Sequence, residues 1–305
     1  MSLQVRAFSP DRAVRVIVPN AAGGGMDILA RVICDSVSSS IGQTIIVENR
    51  PGAATSIGAS AAARSAADGF TLLIASNGTL TINPLIYKQL PYNPDQDFEA
   101  VSLLAKFPMI LVCGPRVTES SLSEITRAFT KDRPFTFGSP GPGSPPHLAM
   151  ELFAKLSGMT VLHIPYKGAA PAVQDVASSQ IDGMMVDYAA ARAMLQAGRI
   201  RPIAVANQER LTQLESVPTF SELGLNDMIA AADVGIVVPS KTAQNVLNFW
   251  EREFMQAIAS AEVRNKLINA GVEPVGSSRK EYMGALAQDK RILGPLLKQL
   301  DLQLD

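Results

Sequence analysis

The amino-acid sequence predicts an α/β protein built as two lobes, and three observations predict it. Strand-like and helix-like segments alternate along the chain, the signature of parallel-rich sheets flanked by helices. A length of 305 residues exceeds one small core and suits two of ordinary domain size. No Ser/Gly-rich linker divides the chain, so ordinary strands must carry it from one lobe to the other and back.

The elements follow in order. Val14–Val18 is an apolar run with the character of a buried strand, and it stops at Pro19. The stretch Asn20-Ala21-Ala22-Gly23-Gly24-Gly25 leads into a helical pattern carried by Ile28, Leu29, Val32, Ile33 and Val37. Residues 44–47 form a second strand, 49–52 a turn, 57–67 a helix of small residues, and 70–75 a third strand ending at Ser76-Asn77-Gly78. The proline-marked stretch 83–95 reads as irregular or short helix. Residues 100–105 and 109–113 read as two strands. A second α/β section follows, with helices at 122–129, 145–156, 170–178 and 189–197 and strands at 134–137, 160–164, 183–186 and 203–206. Residues 234–238 form one more strand, and two or three helices, one over 243–260, finish the chain. The best crossing strands are 103–113 and 228–238. They divide the chain into a first lobe of 1–105 with 232–305 and a second lobe of 106–231. No internal repeat is visible.

Composition excludes several classes. With 47% hydrophobic and 18% charged residues, the chain is neither disordered nor highly charged. A formal net charge of −1 and the lack of a basic stripe speak against nucleic acid as a partner. No stretch approaches the ~20 apolar residues of a membrane span. The first residues hold no apolar run of the kind a secretory leader carries. That leaves a cytoplasmic protein, or a secreted one whose leader is missing from this sequence. Cys34 and Cys113 fall in apolar patterns, as buried free thiols do. Two cysteines and two histidines offer little to a Cys/His metal site, and no metal or cofactor is expected.

Two strand–loop–helix transitions can carry chemistry. The first is Pro19-Asn20-Ala21-Ala22-Gly23-Gly24-Gly25-Met26-Asp27. Glycines admit positive φ and close backbone approach, and amides that open a helix are unpaired and favour anions. No Gly-Lys-Ser/Thr of a Walker loop follows, and the dinucleotide spacing is absent. Two readings stand: an anion site, or a turn with Asp27 as helix cap. The second is Gly138-Ser139-Pro140-Gly141-Pro142-Gly143-Ser144-Pro145-Pro146-His147, where Ser144 suits the N-cap and Pro145 the first helical position. It too reads either as a ligand loop or as a rigid capped turn. One such loop per lobe would face the other across a cleft beyond the strand ends, where α/β folds bind ligands. Ser76 and Asn77 mark a third strand end. No Gly-x-Ser-x-Gly elbow is present. His147 and His163 read as structural hydrogen-bonders rather than bases, Asp182 and Asp187 as turn caps or cleft lining, and Arg50 and Lys167 as ordinary loop cations.

Several segments, in this order and spacing, resemble the Bug/TctC family of extracytoplasmic solute receptors. They are Val18-Pro19 through Gly23-Gly24-Gly25-x-Asp27-x-x-Ala30-Arg31, Val47-Glu48-Asn49-Arg50-Pro51-Gly52-Ala53, Ala67-Asp68-Gly69-Phe70-Thr71-Leu72-Leu73 and Asn83-Pro84-x-x-Tyr87-x-x-Leu90-Pro91-Tyr92. Gly143-Ser144-x-x-His147-Leu148-Ala149-x-Glu151, His163-Ile164-Pro165-Tyr166-Lys167-Gly168 and Pro218-Thr219-x-x-Glu222-x-Gly224 complete the set. Each piece is weak alone, while the ordered set is highly specific and runs from Val14 to the C-terminus.

The resemblance implies a type II-like periplasmic binding protein: two α/β lobes joined by crossing strands, with a small carboxylate buried between them. It implies a periplasmic, non-catalytic, monomeric receptor that delivers a dicarboxylate, tricarboxylate, amino acid or aromatic acid to the membrane components of a tripartite tricarboxylate transporter. One carboxylate would be held by main-chain groups and ordered waters near 19–25, with 139–144 contributed by the second lobe. Taken with the local patterns, the candidate contacts are Pro19, Ala21, Ala22, Gly23, Gly24, Gly25, Asp27, Ser76 and Asn77 from one lobe. Ser139, Gly141, Gly143, Ser144, His147 and Asp187 come from the other. Gly24→Val is expected to abolish binding and leave the fold intact. Asn20-Ala21-Ala22 stands where aromatic or proline-rich residues are common in the family, Ala54-Thr55 replaces a Gly-containing turn, and an acidic Asp187 could pair with a ligand ammonium. The competing readings are an α/β enzyme using His147 with Ser144 or Asp187, and a ligand-sensing receptor that signals to another protein.

Overall fold

The computed structural model describes residues 8–228 and 230–299. Along the chain run β1 (Val14–Val18), α1 (Gly25–Ile41), β2 (Ile45–Asn49), α2 (Ser56–Ala63), β3 (Thr71–Ser76), a π-helical turn (Gly78–Ile82), α3 (Asn83–Ile86), α4 (Pro94–Asp97) and β4 (Phe98–Cys113). Then come α5 (Leu122–Ala128), β5 (Phe135–Ser139), α6 (Pro145–Ser157), β6 (Val161–Pro165), α7 (Ala169–Ala177), β7 (Gly183–Asp187), α8 (Tyr188–Gln196) and β8 (Arg201–Val205). The chain closes with β9 (Ala231–Pro239), α9 (Gln244–Ala259), α10 (Ala261–Asn269), β10 (Glu273–Pro274) and α11 (Arg279–Gln299).

In the first lobe β1 pairs in parallel with β2 and β3. Every residue of β3 is buried, as expected of a parallel strand covered on both faces. Leu29 and Ile33 of α1 pack with Trp250 and Phe254 of α9 on one face. Ala59 and Ala62 of α2 pack with Tyr282 of α11 on the other. α1 ends where Gly42 takes a φ of 66° and returns its amide to Ser38 O at 3.0 Å, the left-handed stop that glycine permits. In the second lobe β5 pairs in parallel with β6 and β7. Phe135, Phe137 and Phe153 form one core, and Val173, Val176 and Val186 form the other. Asp182 ties β5 to β7: Oδ2 accepts from Thr136 N at 2.8 Å and Thr136 Oγ1 at 2.6 Å, and Oδ1 meets Arg116 at 3.0 Å. Cys34 and Cys113 are buried free thiols in different cores, and burial pushes each up to about 12.

Two antiparallel strands join the lobes. β4 pairs with β9 from Phe98↔Pro239 to Pro108↔Ala231, and from Met109 onward it pairs with β7 and β8. Pro108 has no N–H to give, and it stands where the partner changes. The sequence pattern predicts two strands over this region. The structure has one of 16 residues, because Lys106, Phe107 and Pro108 stay paired to β9. Side chains alternate along these strands: Phe107, Ala232 and Val234 face the cleft, while Lys106 and Asp233 pair at 3.8 Å behind it. A second contact between lobes is apolar. Leu297 of α11 and Ile82 and Ile86 near α3 pack on Leu148 of α6.

Candidate functional site

A cavity of about 1370 Å³ lies between the lobes. Pro19, Ala21, Ala22, Gly23, Gly24, Gly25 and Ser76 line it from the first lobe, and Gly141, Gly143, Ser144 and Asp187 from the second. Asp27, Asn77, Ser139 and His147 do not line it; each is buried behind the wall.

The first loop is fastened from behind. Gly24 is the N-cap of α1, in extended conformation, with no side chain bonded to the helix start. The first helical bond is Asp27 N to Gly24 O at 3.0 Å, so the amides of Gly25 and Met26 precede it and are left for the cleft. Asp27, expected at the ligand, is 3% exposed and serves the loop instead. Its Oδ2 accepts from Gly23 N at 2.9 Å and Arg31 Nε at 3.0 Å, and its Oδ1 accepts from Asn49 Nδ2 at 3.0 Å. Burial pushes its carboxyl up, but the bonds from Arg31, Gly23 and Asn49 outweigh that and hold it below the usual value. A Cβ on Gly25 would stand 2.8 Å from Phe107 and 3.0 Å from Asp187 Oδ1, whereas one on Gly24 would meet only Ala21 O at 3.7 Å. The sterically closed position is therefore Gly25, not Gly24.

Beside this loop, Ala53, Ala54 and Thr55 have φ of 44°, 47° and 77°. Left-handed backbone costs a non-glycine residue roughly 1–2 kcal/mol, so other bonds must hold it. Asn83 Nδ2 donates to Ala54 O at 2.7 Å, and Thr55 Oγ1 meets Thr79 Oγ1 at 2.8 Å. The glycine expected after Ala53 has a physical purpose in this turn, and Ala54-Thr55 makes the turn without it. Ser76 lies on the wall, its Oγ accepting from Thr79 N at 3.4 Å. Asn77 turns away to Asp289 of α11.

In the second lobe, α6 starts with Ser144 at the N-cap and Pro145 and Pro146 as its first residues, so these two positions have no amide to offer. His147 is 3% exposed and accepts from Gly143 N at 3.0 Å through Nδ1. Ser139 Oγ bonds Gly141 O at 3.0 Å and His163 Nε2 at 2.7 Å. Both residues support the loop rather than line the cleft. Asp187 caps α8, with Oδ1 accepting from Ala190 N at 2.9 Å. Burial pushes its carboxyl up, partly offset by the first amides of α8.

Sequence reasoning missed a third helix start. Lys167, Gly168, Ala169 and Ala170 line the cleft, and Gly168, at φ 145°, is the N-cap of α7 with no side-chain cap. The signal was another strand–glycine–helix transition after β6, read only as a loop cation and a helix. Arg50, Arg64 and Lys167 also line the cleft, with Asp187 the one acidic residue on the described wall. Arg50 pairs with Glu48 at 2.7 Å, and Arg64 donates to Ser60 Oγ at 2.7 Å. Among the described residues no group of three or more His, Cys, Asp or Glu could hold a metal, and no helix is long and apolar enough to cross a membrane.

With this geometry in place, the family model described as "Tripartite tricarboxylate transporter family receptor" matches residues 29–302. The chain belongs to this TctC family. BugT of Bordetella pertussis is 32% identical over 283 residues, covering 92% of this chain and 86% of the relative. An R. palustris protein solved with adipate shares 30% identity at a TM-score of 0.91, covering 95% of this chain and 97% of that one. MatC of Rhodopseudomonas palustris, with bound malate, shares 27% identity at a TM-score of 0.87, covering 94% and 99%. The α/β architecture of two lobes joined by crossing strands is thus the periplasmic-binding-protein fold of TctC receptors.

Proposed function

We propose that this TctC protein is a non-catalytic periplasmic receptor that closes on a small dicarboxylate and presents it to the membrane components of a tripartite transporter. The observation that carries the reading is a pair of helix starts from opposite lobes, α1 at Gly25 and α7 at Ala169, that open without side-chain caps on one cavity. Unpaired amides at a helix N-terminus attract anions, and two such ends suit a ligand with two carboxylates. Three cations against one acid on the wall favour the same charge. The bound adipate and malate of two neighbours are dicarboxylates and support it. Against the enzyme reading stands the burial of His147, whose Nδ1 is committed to Gly143.

The partner change at Pro108 supports a division near 106 and 231, with 1–105 and 232–305 as one lobe and 106–231 as the other. A ligand touching both lobes favours the closed arrangement because only there does it gain both sets of contacts. A monomer suffices for this work.

A thermal-shift series of succinate, malate, glutarate and adipate against butyrate and hexanoate tests the reading. Saturating ligand adds ~2.7 kcal/mol at a hundredfold excess over Kd, so dicarboxylates should raise the melting temperature and be recovered unchanged. Equal shifts with monocarboxylates, or a consumed compound, would overturn it.

A further inference from the structure

Two imidazoles lie behind the second-lobe loop, off the cleft wall. His147 of α6 and His163 of β6 stack with centroids 4.0 Å apart, and Phe137 of β5 stacks on His163 at 4.9 Å. Each ring ends on a group that shapes the loop. Gly143 N donates to His147 Nδ1 at 3.0 Å. His163 Nε2 meets Ser139 Oγ at 2.7 Å, and Ser139 Oγ in turn accepts from Gly141 N at 3.1 Å. Ser144 Oγ donates to Gly141 O at 2.7 Å. Gly141 and Gly143 have φ of 131° and 74°, a region glycine enters freely but does not hold by itself. The loop's shape therefore depends on these bonds.

The Gly143 bond demands an uncharged His147 ring, and burial disfavours charge on the His163 ring. Gly143 N–H donates, so Nδ1 of His147 must be a bare lone pair with the ring proton on Nε2, which faces Glu151 at 3.6 Å. A second proton would set an N–H against the Gly143 N–H. A proton on His163 would place charge 4.0 Å from the other imidazole. The charged or titratable groups facing the pair are Glu151 of α6 and each imidazole to the other. Phe137 and Ser139 of β5 bring no charge, and from the first lobe Tyr87 donates to Pro142 O at 3.2 Å.

We propose that the His147–His163 pair positions the second-lobe loop for the ligand and lets it go on acidification, so that ligand affinity falls with pH. The affinity part rests on the receptor reading above; the loop part does not. Burial, and then the His147 ring, hold His163 down to about 4 from an ordinary 6.5. A base whose folded value is lowered stabilises fully above its ordinary value and loses that contribution as pH falls toward the lowered one. The window therefore runs from 6.5 down to about 4.

The test compares wild type with His147→Asn/His163→Gln, whose amides reach the same bonds without titrating there, and with His147→Phe, which removes the acceptor. Hydrogen exchange at Gly143 and imidazole 15N shifts are read without ligand, and binding of adipate is read by calorimetry. In wild type the Gly143 amide should be protected and Nδ1 of His147 should carry the shift of an unprotonated nitrogen. Wild-type affinity should fall severalfold as pH is lowered from above 6.5 to about 4. The double variant, whatever its affinity, should follow only the ligand's own titration. His147→Phe should lose Gly143 protection at every pH. A double variant with the wild-type pH profile, or full Gly143 protection in His147→Phe, would overturn the proposal. If adipate does not bind, the receptor reading is in question while the exchange and 15N results still decide the loop.

Discussion

The two glycine loops look alike in sequence, each a strand running through glycines into a helix, yet they offer the cleft different chemistry. The first leaves the amides of Gly25 and Met26 free ahead of the first helical bond. It is fastened by a charged network of Asp27, Arg31 and Asn49. The second opens on Pro145 and Pro146, which present ring carbons instead of donors. It is fastened by neutral imidazoles and a hydroxyl. One loop can receive an anion, and the other supplies shape. In the second lobe the anion-receptive end is α7, one strand further along, at Gly168–Ala170. A glycine-rich loop is therefore not by itself an anion site; what matters is whether the residues that follow keep their N–H groups.

The largest break in that comparison should come from Gly25→Val. Its side chain would enter the space held by Phe107 and Asp187, overfilling the meeting point of the lobes. Affinity for the dicarboxylate identified by the thermal-shift series should fall by more than about a hundredfold, near 3 kcal/mol, with circular dichroism unchanged. Gly24→Val at the neighbouring position should be far milder, because nothing lies closer than 3.7 Å. Equal losses at the two positions would mean that the lobes do not meet there.

Asp27→Ala tests whether the first loop depends on charge where the second does not. It leaves the Gly23 amide without its acceptor and Asn49 Nδ2 with Asn20 O alone, at a cost of about 2 kcal/mol. The Asp27 carboxyl is held below its ordinary 3.8. An acid with a lowered folded value contributes fully above its ordinary value and loses that contribution as pH falls through the lowered one. The stability gap between wild type and Asp27→Ala, read by urea unfolding, should be constant at neutral and mildly acidic pH and shrink only below 3.8. The second loop should weaken at higher pH, within the histidine window.

Much of this was legible in the sequence, for physical reasons that also mark its limits. Apolar period and glycine punctuation located the strands of both lobes, because β1, β3 and β7 are buried runs between turns. The crossing strands followed from the missing linker. The wall of the cleft was only partly legible. Asp27 and His147 carry chemistry and sit in the right loops, but which way a side chain points depends on distant partners such as Asn49 and His163. Arg50 and Lys167 looked ordinary because their place on the wall comes from packing between segments far apart in the chain. The left-handed turn Ala53–Thr55 was marked only by the glycine that the family resemblance places there, since non-glycine residues hide a positive φ.

The smallest and sharpest change would exchange the characters of the two second-lobe helix starts. Ala169→Pro puts a ring at the first position of α7, where proline fits the helix. Gly168 before it, at φ 145° and ψ 169°, has a ψ close to the one a residue preceding proline takes, and as glycine it tolerates the positive φ. The substitution deletes one cleft amide and little else. A single neutral donor to a charged acceptor is worth about 1.5 kcal/mol, so affinity for the dicarboxylate should fall by about tenfold with the melting temperature of the free protein unchanged. Pro145→Ala does the reverse at α6, restoring an amide beside Ser144. If an N–H at a helix start is what the second carboxylate uses, the α7 change weakens binding, and the α6 change leaves it equal or slightly tighter. Weaker binding from Pro145→Ala with no effect of Ala169→Pro would mean that the ligand reads the rigid shape of the glycine-proline loop, and that the two loops are closer in function than their amides suggest.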